Sequence, residues 1–202
     1  MEYLVLGFFT GLSLILAIGA QNIFVIEQGL KKQYVLLVCL ICSISDLILI
    51  FLGIFLFHYF IQYFNSTIEL ILNILLIIFL IHFIYSKIKS YNSKVEFNRE
   101  TQDVSKFDIF LKTLGFTYLN PHVYSDTVFF LGNFSKNFVF SDKILFGVGA
   151  SLASFLFFFL IGYLSKYLSH YAKSEQVWKI INLFIIIFMS MLIIFVILET
   201  IN

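Results

Sequence analysis

Residues 34–57 read YVLLVCLICSISDLILIFLGIFLF, an apolar run that contains a single charged residue, Asp46. A transmembrane helix needs roughly 20 mostly apolar residues to cross about 30 Å of hydrocarbon, so this run is long enough to span a bilayer. The whole chain has the same character, with 60% hydrophobic residues, 12% charged residues and a mean hydropathy of +0.98. Soluble domains carry roughly a quarter charged residues. The composition therefore predicts an all-α integral membrane protein.

Apolar runs of this length recur along the chain, and charged or turn-forming residues bound each of them. No basic segment precedes the first run, which favours a retained helix over a cleaved signal peptide. Six transmembrane helices are predicted: Tyr3–Ile26, Tyr34–Phe57, Ile68–Tyr85, Phe110–Leu131, Ile144–Leu164 and Ile180–Leu198.

The only long polar stretch lies between the third and fourth runs and divides the six helices into two halves of three. Such a connection leaves the halves in opposite orientations, so the sequence predicts two inverted three-helix repeats. Inverted repeats are typical of secondary transporters. The prediction is a single transmembrane transporter domain, 1–202, made of a first repeat 1–86, a loop 87–106 and a second repeat 107–202.

A faint internal match supports the repeats. Phe9 and Asn22 recur as Phe107 and Asn120 at the same offset, so the first helix of each half carries an asparagine.

Lysine and arginine are concentrated on one side of the predicted bundle. Eleven of the 13 lie in the first, third and fifth connections or at the foot of the fourth helix, and only Lys136 and Lys143 lie opposite. Cytoplasmic loops carry the excess of basic residues. Loop 87–106 is therefore predicted to be cytoplasmic, with both termini outside.

Asp46 lies in the middle of the second predicted span. Burying an ionised Asp at a helix centre costs roughly 2.5–3.5 kcal/mol on insertion scales. Intramembrane carboxylates usually mark an ion or substrate path. A structural hydrogen bond to another helix is the alternative, and we favour the functional interpretation.

Residues 119–127, LNPHVYSDT, place the chain's single proline inside the fourth predicted span. Pro121 removes a backbone hydrogen bond, which should free carbonyls near Thr117 and leave N–H groups unpaired beyond the break. Irregular backbone at this depth survives only where it is buried in protein or lines a wet cavity. A plain proline kink is the alternative, but the polar residues around it favour a site: Asn120, His122, Tyr124 and Asp126.

In the first span, Gln21 and Asn22 follow small residues. Their amides could bind a ligand or join helices, and the sequence leaves both interpretations open. Two small-residue spacings are more simply explained by helix packing: Gly7 with Gly11, and Gly147 with Ser151. Cys39 and Cys42 form a CxxC spacing within an apolar helix, where a thiolate is disfavoured, so packing is predicted there too.

Residues 11–22, GLSLILAIGAQN, resemble the first helix of the LysE family of lysine and arginine exporters. The resemblance continues through Gln28-Gly29-Leu30, Ser45-Asp46 and 119–127, and it covers nearly the whole chain. Related exporters of neutral amino acids usually carry Pro-Gly-Pro where this chain has Ile18-Gly19-Ala20, which favours the basic branch. Glu27 stands where that branch often has Arg, and we expect it to be solvated.

The resemblance implies a transporter in the bacterial cytoplasmic membrane, not an enzyme, with a basic amino acid as substrate. No cofactor, metal or nucleic-acid partner is expected, and a homo-oligomer is left open. Exporting a cation against the membrane potential costs roughly 2.3 kcal/mol per 100 mV, which exchange for a proton would cancel. The predicted substrate and proton site comprises Asp46 and Asp126 for cationic groups, Gln21, Asn22 and Asn120 with N–H groups near Pro121 for the carboxylate, and the neighbouring His122 and Tyr124.

Three other functions remain open on the sequence. An exporter of neutral amino acids or other small metabolites is the nearest. A thiol–disulfide conduit would use Cys39 and Cys42, although a two-sided relay would want cysteines in both halves. A non-transporting scaffold would leave the cost of burying Asp46 and Asp126 unexplained.

Overall fold

A computed structural model describes residues 1–16, 19–63, 66–92, 105–171 and 175–201, and within these ranges the chain forms helices and turns but no strand. The elements in chain order are α1 Glu2–Ile15, α2 Ala20–Lys31, α3 Val35–Tyr63, α4 Ser66–Asn92, α5 Lys106–Tyr118, α6 Pro121–Tyr124, a π-helical segment Ser125–Phe130, α7 Leu131–Ser135, α8 Phe140–Leu168 and α9 Glu175–Ile201.

Three stretches of the described helices are long and apolar enough to cross a membrane: Val35–Phe57, Phe140–Leu168 and Lys179–Leu198. The pair α1 and α2 adds a fourth if it is counted as one span, and α4 contains a shorter apolar stretch, Leu70–Tyr85. The all-helical membrane class is thus confirmed, while six full spans stay a prediction. Helix α4 also continues through residues 87–92, which had been assigned to the loop, and residues 93–104 of that loop lie outside the described ranges.

The first predicted span is not one helix. The axes of α1 and α2 differ by 83°, so the prediction of a continuous helix over Tyr3–Ile26 is wrong. Gly19 precedes α2 in an extended conformation, with φ −115° and ψ −178°. Glycine has the lowest helix propensity after proline, and an extended residue cannot continue a helix. The chain therefore turns here and starts a second helix at Ala20.

The fourth predicted span is interrupted at its proline, as the sequence indicates. Helix α5 ends at Tyr118 and α6 begins at Pro121, which is a favoured first residue because its missing N–H has no partner there anyway. The π-helical segment and α7 follow, so the span Phe110–Leu131 is a series of short helical pieces. Each half of the chain therefore opens with a broken helix.

Each broken segment packs against the long helix of the other half. Helix α1 lies on α8, where a Cβ on Gly7 would collide with the backbone of Phe146. The π-helical segment lies on α3, where a Cβ on Gly53 would come within 2.6 Å of the Val128 Cα and carbonyl oxygen. The predicted packing role of Gly7 and Gly11 is confirmed, since Gly11 lies equally close to the backbone of Ala150.

Glu27 is buried, with 1% of its surface exposed, so the expectation that it is solvated is wrong. It forms an ion pair with Lys31, one turn along α2. The tertiary reason is the packing of α2 on α8, where a Cβ on Gly29 would lie 2.6 Å from both the Gly162 carbonyl oxygen and the Ser165 Cβ. Packing this close excludes water from Glu27, whereas the sequence had suggested that this side chain is solvated.

We expect Lys31→Met to lower the free energy of unfolding by roughly 3 kcal/mol, because it leaves the buried Glu27 carboxylate without its cation. Lys112→Met is the matched control. Lys112 pairs with Asp108 at the same spacing, but the Asp108 side chain is 48% exposed against 2% for Glu27, and exposed pairs contribute about 0–1 kcal/mol. Denaturant unfolding in detergent micelles measures both variants. Equal losses would contradict the burial argument.

Candidate functional site

A cavity of about 430 Å³ lies where the two broken helices meet the long helices. Six of the eight predicted site residues line it, and they come from both halves of the chain: Gln21, Asn22, Asp46, Asn120, His122 and Asp126. The volume is within the range of small-molecule sites. The structure thus brings together residues that are up to 105 positions apart in sequence (21 and 126).

Asp46 lies on α3 and is 3% exposed. The Ser154 hydroxyl on α8 donates a hydrogen bond of 2.8 Å to Asp46 Oδ2. A buried carboxylate needs such a donor, because burying a charge without partners is costly. The hydrogen bond holds Asp46 in place at the cavity, where its carboxyl group can also meet a ligand.

Asp126 lies on the π-helical segment and is partly exposed. It lines the same cavity as Asp46 and His122. The next residue, Thr127, donates a 2.6 Å hydrogen bond to the Val123 carbonyl oxygen. π-helical turns are rare and are often found at functional sites. Here the π turn places the second carboxyl group on the same cavity as the first.

The two asparagines bind the backbone at the helix breaks. Asn22 Nδ2 donates to the carbonyl oxygen of Ile15, the last residue of α1, at 3.2 Å. Asn120 Oδ1 accepts from the N–H of His122 at 3.1 Å, and its carbonyl oxygen accepts from the N–H of Val123 at 3.2 Å. The expectation of unpaired N–H groups beyond Pro121 is therefore wrong for His122 and Val123, because Asn120 caps α6.

Tyr124 is not among the described lining residues. The Tyr124 hydroxyl donates to the Tyr118 carbonyl oxygen at 2.9 Å and so bridges the break between α5 and α6. Only the backbone of Pro121 is described, as the first residue of α6.

Apolar side chains form most of the remaining wall, and the sequence did not identify them as part of a site. Phe158 on α8 and Phe195 on α9 are two of them. The Phe195 ring lies 5.8 Å from the His122 ring, centroid to centroid. Such residues carry no sequence signal, since any membrane helix is rich in Phe and Leu. They make most of the cavity lining apolar.

Cys39 and Cys42 are free and buried, as predicted for packing residues. Cys39 Sγ donates to the Phe158 carbonyl oxygen at 3.3 Å. A Cβ on Gly162 would come within 2.5 Å of the same sulfur.

We expect Ser154→Ala to lower transport about tenfold, because a hydrogen bond to a charged group contributes roughly 1.5–3 kcal/mol. Ser43→Ala is the matched control, since Ser43 is equally buried but donates to the Cys39 carbonyl oxygen of its own helix. Transport by cells expressing each variant at matched levels is the measurement. If both variants were equally impaired, the hydrogen bond to Asp46 would have no specific role.

Interrupted helices that meet at a cavity lined in part by polar residues are typical of membrane transporters. Residues 12–200 match the family model described as "LysE type translocator", and the chain belongs to this family. Membership of this family confirms that the protein is a transporter and not an enzyme. It also overturns the hypotheses of a thiol–disulfide conduit and of a non-transporting scaffold. No solved structure matches the chain.

Curated relatives agree with this assignment. The chain is 31% identical over 186 residues to "Arginine exporter protein ArgO" of Salmonella paratyphi A, covering 92% of this chain and 88% of the relative. It is 34% identical over 181 residues to the protein of that name from Pectobacterium carotovorum, covering 89% and 88%. It is 32% identical over 178 residues to the protein of that name from Klebsiella pneumoniae, covering 88% of this chain and 84% of the relative. Together with the apolar helices, these relatives indicate a multi-pass protein of the inner membrane.

Proposed function

We propose that this chain exports basic amino acids, arginine and/or lysine, through the cavity between its broken helices. The observation that carries the proposal is that Asp46 and Asp126, from opposite halves, line one cavity in a chain whose relatives are named arginine exporters. Arginine and lysine each carry two cationic groups and one carboxylate. Two carboxyl groups in one site match the two cations, and the apolar wall suits the methylene chain.

The arrangement of the helices supports two inverted repeats, 1–86 and 107–202, joined by a cytoplasmic loop 87–106. Each half consists of a broken helix, a helix of 29 residues and a helix of 27 residues. The broken helix of each half packs on the 29-residue helix of the other, and α4 packs on α9. Two repeats related by a two-fold axis would pack on each other in this reciprocal way. Rocking of one repeat against the other would open the cavity to each side in turn.

The excess of Lys and Arg supports the orientation with loop 87–106 in the cytoplasm and both termini outside. A homo-oligomer stays a prediction of the sequence. Export would proceed in exchange for one proton, with Asp46 or Asp126 as the carrier, because a carboxyl group that is partly removed from bulk water can hold either a proton or a cation.

Efflux of labelled arginine, lysine and threonine from preloaded cells that express the chain tests the substrate class. We expect arginine or lysine to leave faster than in cells with an empty vector, and threonine at the background rate. Threonine efflux instead would move the protein to the neutral amino-acid exporters, and no efflux of any of the three would overturn the proposal. Proteoliposomes loaded with a pH-sensitive dye then test the proton: arginine movement without an opposite pH change would contradict exchange.

A further inference from the structure

We infer that the N-terminus of α2, together with the Gln21 amide, is the subsite for the substrate α-carboxylate. The inference rests on the proposed function and assigns the orientation of the substrate within the cavity. The carboxylate would lie at the break between α1 and α2, and the cationic groups would lie at Asp46 and Asp126.

The first observation is the open start of α2. The first turn of a helix presents N–H groups that have no partner within the helix, and the helix dipole adds a partial positive charge. Gly19 occupies the position before the first turn and has no side chain to cap it. Among the residues that the structure describes, and apart from the neighbours of Gly19 in the chain, no atom lies within 4 Å of where a Cβ on Gly19 would be. Gly19, Ala20 and Gln21 all line the cavity. The helix is 12 residues long.

The second observation is independent of the helix. Gln21 is 7% exposed, yet its side-chain Nε2 has no hydrogen-bond partner among the described residues. The Cys42 thiol lies beside the amide, but sulfur is a weak acceptor. A buried amide donor without a partner costs roughly 1–3 kcal/mol. A carboxylate in the cavity would supply the missing acceptor for the Gln21 amide, and it would also accept hydrogen bonds from the backbone N–H groups of the first turn.

The break in the second half does not offer the same site. Asn120 caps α6 through its side chain and its carbonyl oxygen, and Pro121 contributes no N–H. The two breaks therefore differ: one helix start is open to an anion, and the other is closed by the protein itself. A zwitterionic group entering this cavity would orient its carboxylate toward α2.

The test compares the binding of two ligands, arginine and argininamide, to the wild type and to its variants. In argininamide a neutral amide replaces the carboxylate of arginine. Calorimetry on the purified full chain in nanodiscs gives the ratio of the argininamide Kd to the arginine Kd. We expect this ratio to be at least about 10 in the wild type, as for hydrogen bonds to a charged group. Gln21→Leu should move the ratio toward 1. Asp46→Asn should weaken both ligands and leave the ratio as it is, because both are cations.

Gly19 supplies a second pair of variants that does not depend on Gln21. Gly19→Ser adds a hydroxyl that can cap α2 in competition with the carboxylate, and Gly19→Ala adds only a methyl group in the same open space. The ratio should fall further in Gly19→Ser than in Gly19→Ala. A wild type that binds arginine with a ratio near 1, or variants that leave the ratio unchanged, would overturn the inference while the proposed function stands. A folded wild type that bound no arginine would overturn both.

Discussion

Asp46→Asn is expected to lower arginine export at least about 100-fold. The substitution keeps the size of the side chain, and the Asn oxygen can still accept the hydrogen bond from Ser154. It removes only the negative charge. Leaving a buried cation without its partner costs roughly 3–5 kcal/mol, and this range applies because Asp46 is 3% exposed. The measurement is efflux of labelled arginine from preloaded cells, with the amount of each variant in the membrane determined in parallel.

Asp126→Asn should have a smaller effect, about tenfold, because Asp126 is partly exposed and water can screen the loss. Asp108→Asn is the matched control: the Asp108 side chain is 48% exposed, pairs with Lys112 and is not among the described cavity residues. If Asp46→Asn and Asp126→Asn both exported arginine normally, the assignment of the carboxyl groups to the substrate would be wrong.

Gly149→Ala is expected to lower the free energy of unfolding by about 3 kcal/mol and to reduce the yield of folded protein. A Cβ on Gly149 would collide with the Leu4 carbonyl oxygen and lie 2.8 Å from the Phe8 backbone nitrogen. Both atoms belong to the backbone of α1, which cannot rotate away as a side chain can. Overpacking costs roughly 1–3 kcal/mol, and contact with backbone puts this site at the upper end.

Gly147→Ala is the control for this prediction, because Gly147 lies two residues away on the same helix. Its nearest neighbours, at 2.9–3.0 Å, are the side-chain ends of Ile54 and Phe51, which can shift. We expect a loss of less than about 1.5 kcal/mol, as for tolerated core substitutions. Unfolding in detergent measures both variants, and a larger loss in Gly147→Ala would refute the role of the α1–α8 backbone contact.

Much of the site could be predicted from sequence because a carboxylate in a membrane span is costly wherever the span packs. Asp46 and Asp126 stand out against their apolar neighbours before any contact is known. Pro121 is equally visible, since the loss of its N–H is a property of the residue itself. The sequence predicts that Asp46 and Asp126 form one site with Asn120 and Gln21, and the structure brings these four residues to one cavity.

The bend between α1 and α2 was not predicted, because Gly19 is a weak local signal within an apolar run. A glycine inside a helix is only about 1 kcal/mol less favourable than an alanine, so tertiary packing decides whether the helix breaks there. Glu27 was misjudged for a related reason. Its exposure depends on α8, whose residues Gly162 and Ser165 are more than 130 positions away in sequence (29 and 162).

The sequence by itself determined that lipid surrounds the helices of this protein and which polar residues are costly in that environment. These are local quantities, because the free energy of transferring a residue into hydrocarbon depends mainly on that residue. The tertiary structure decided which of those residues meet, that Ser154 bonds Asp46, and that Asn120 closes one helix start while Gly19 leaves the other open. Hydrogen bonds and close packing depend on the positions of two partners, and only the folded chain fixes both.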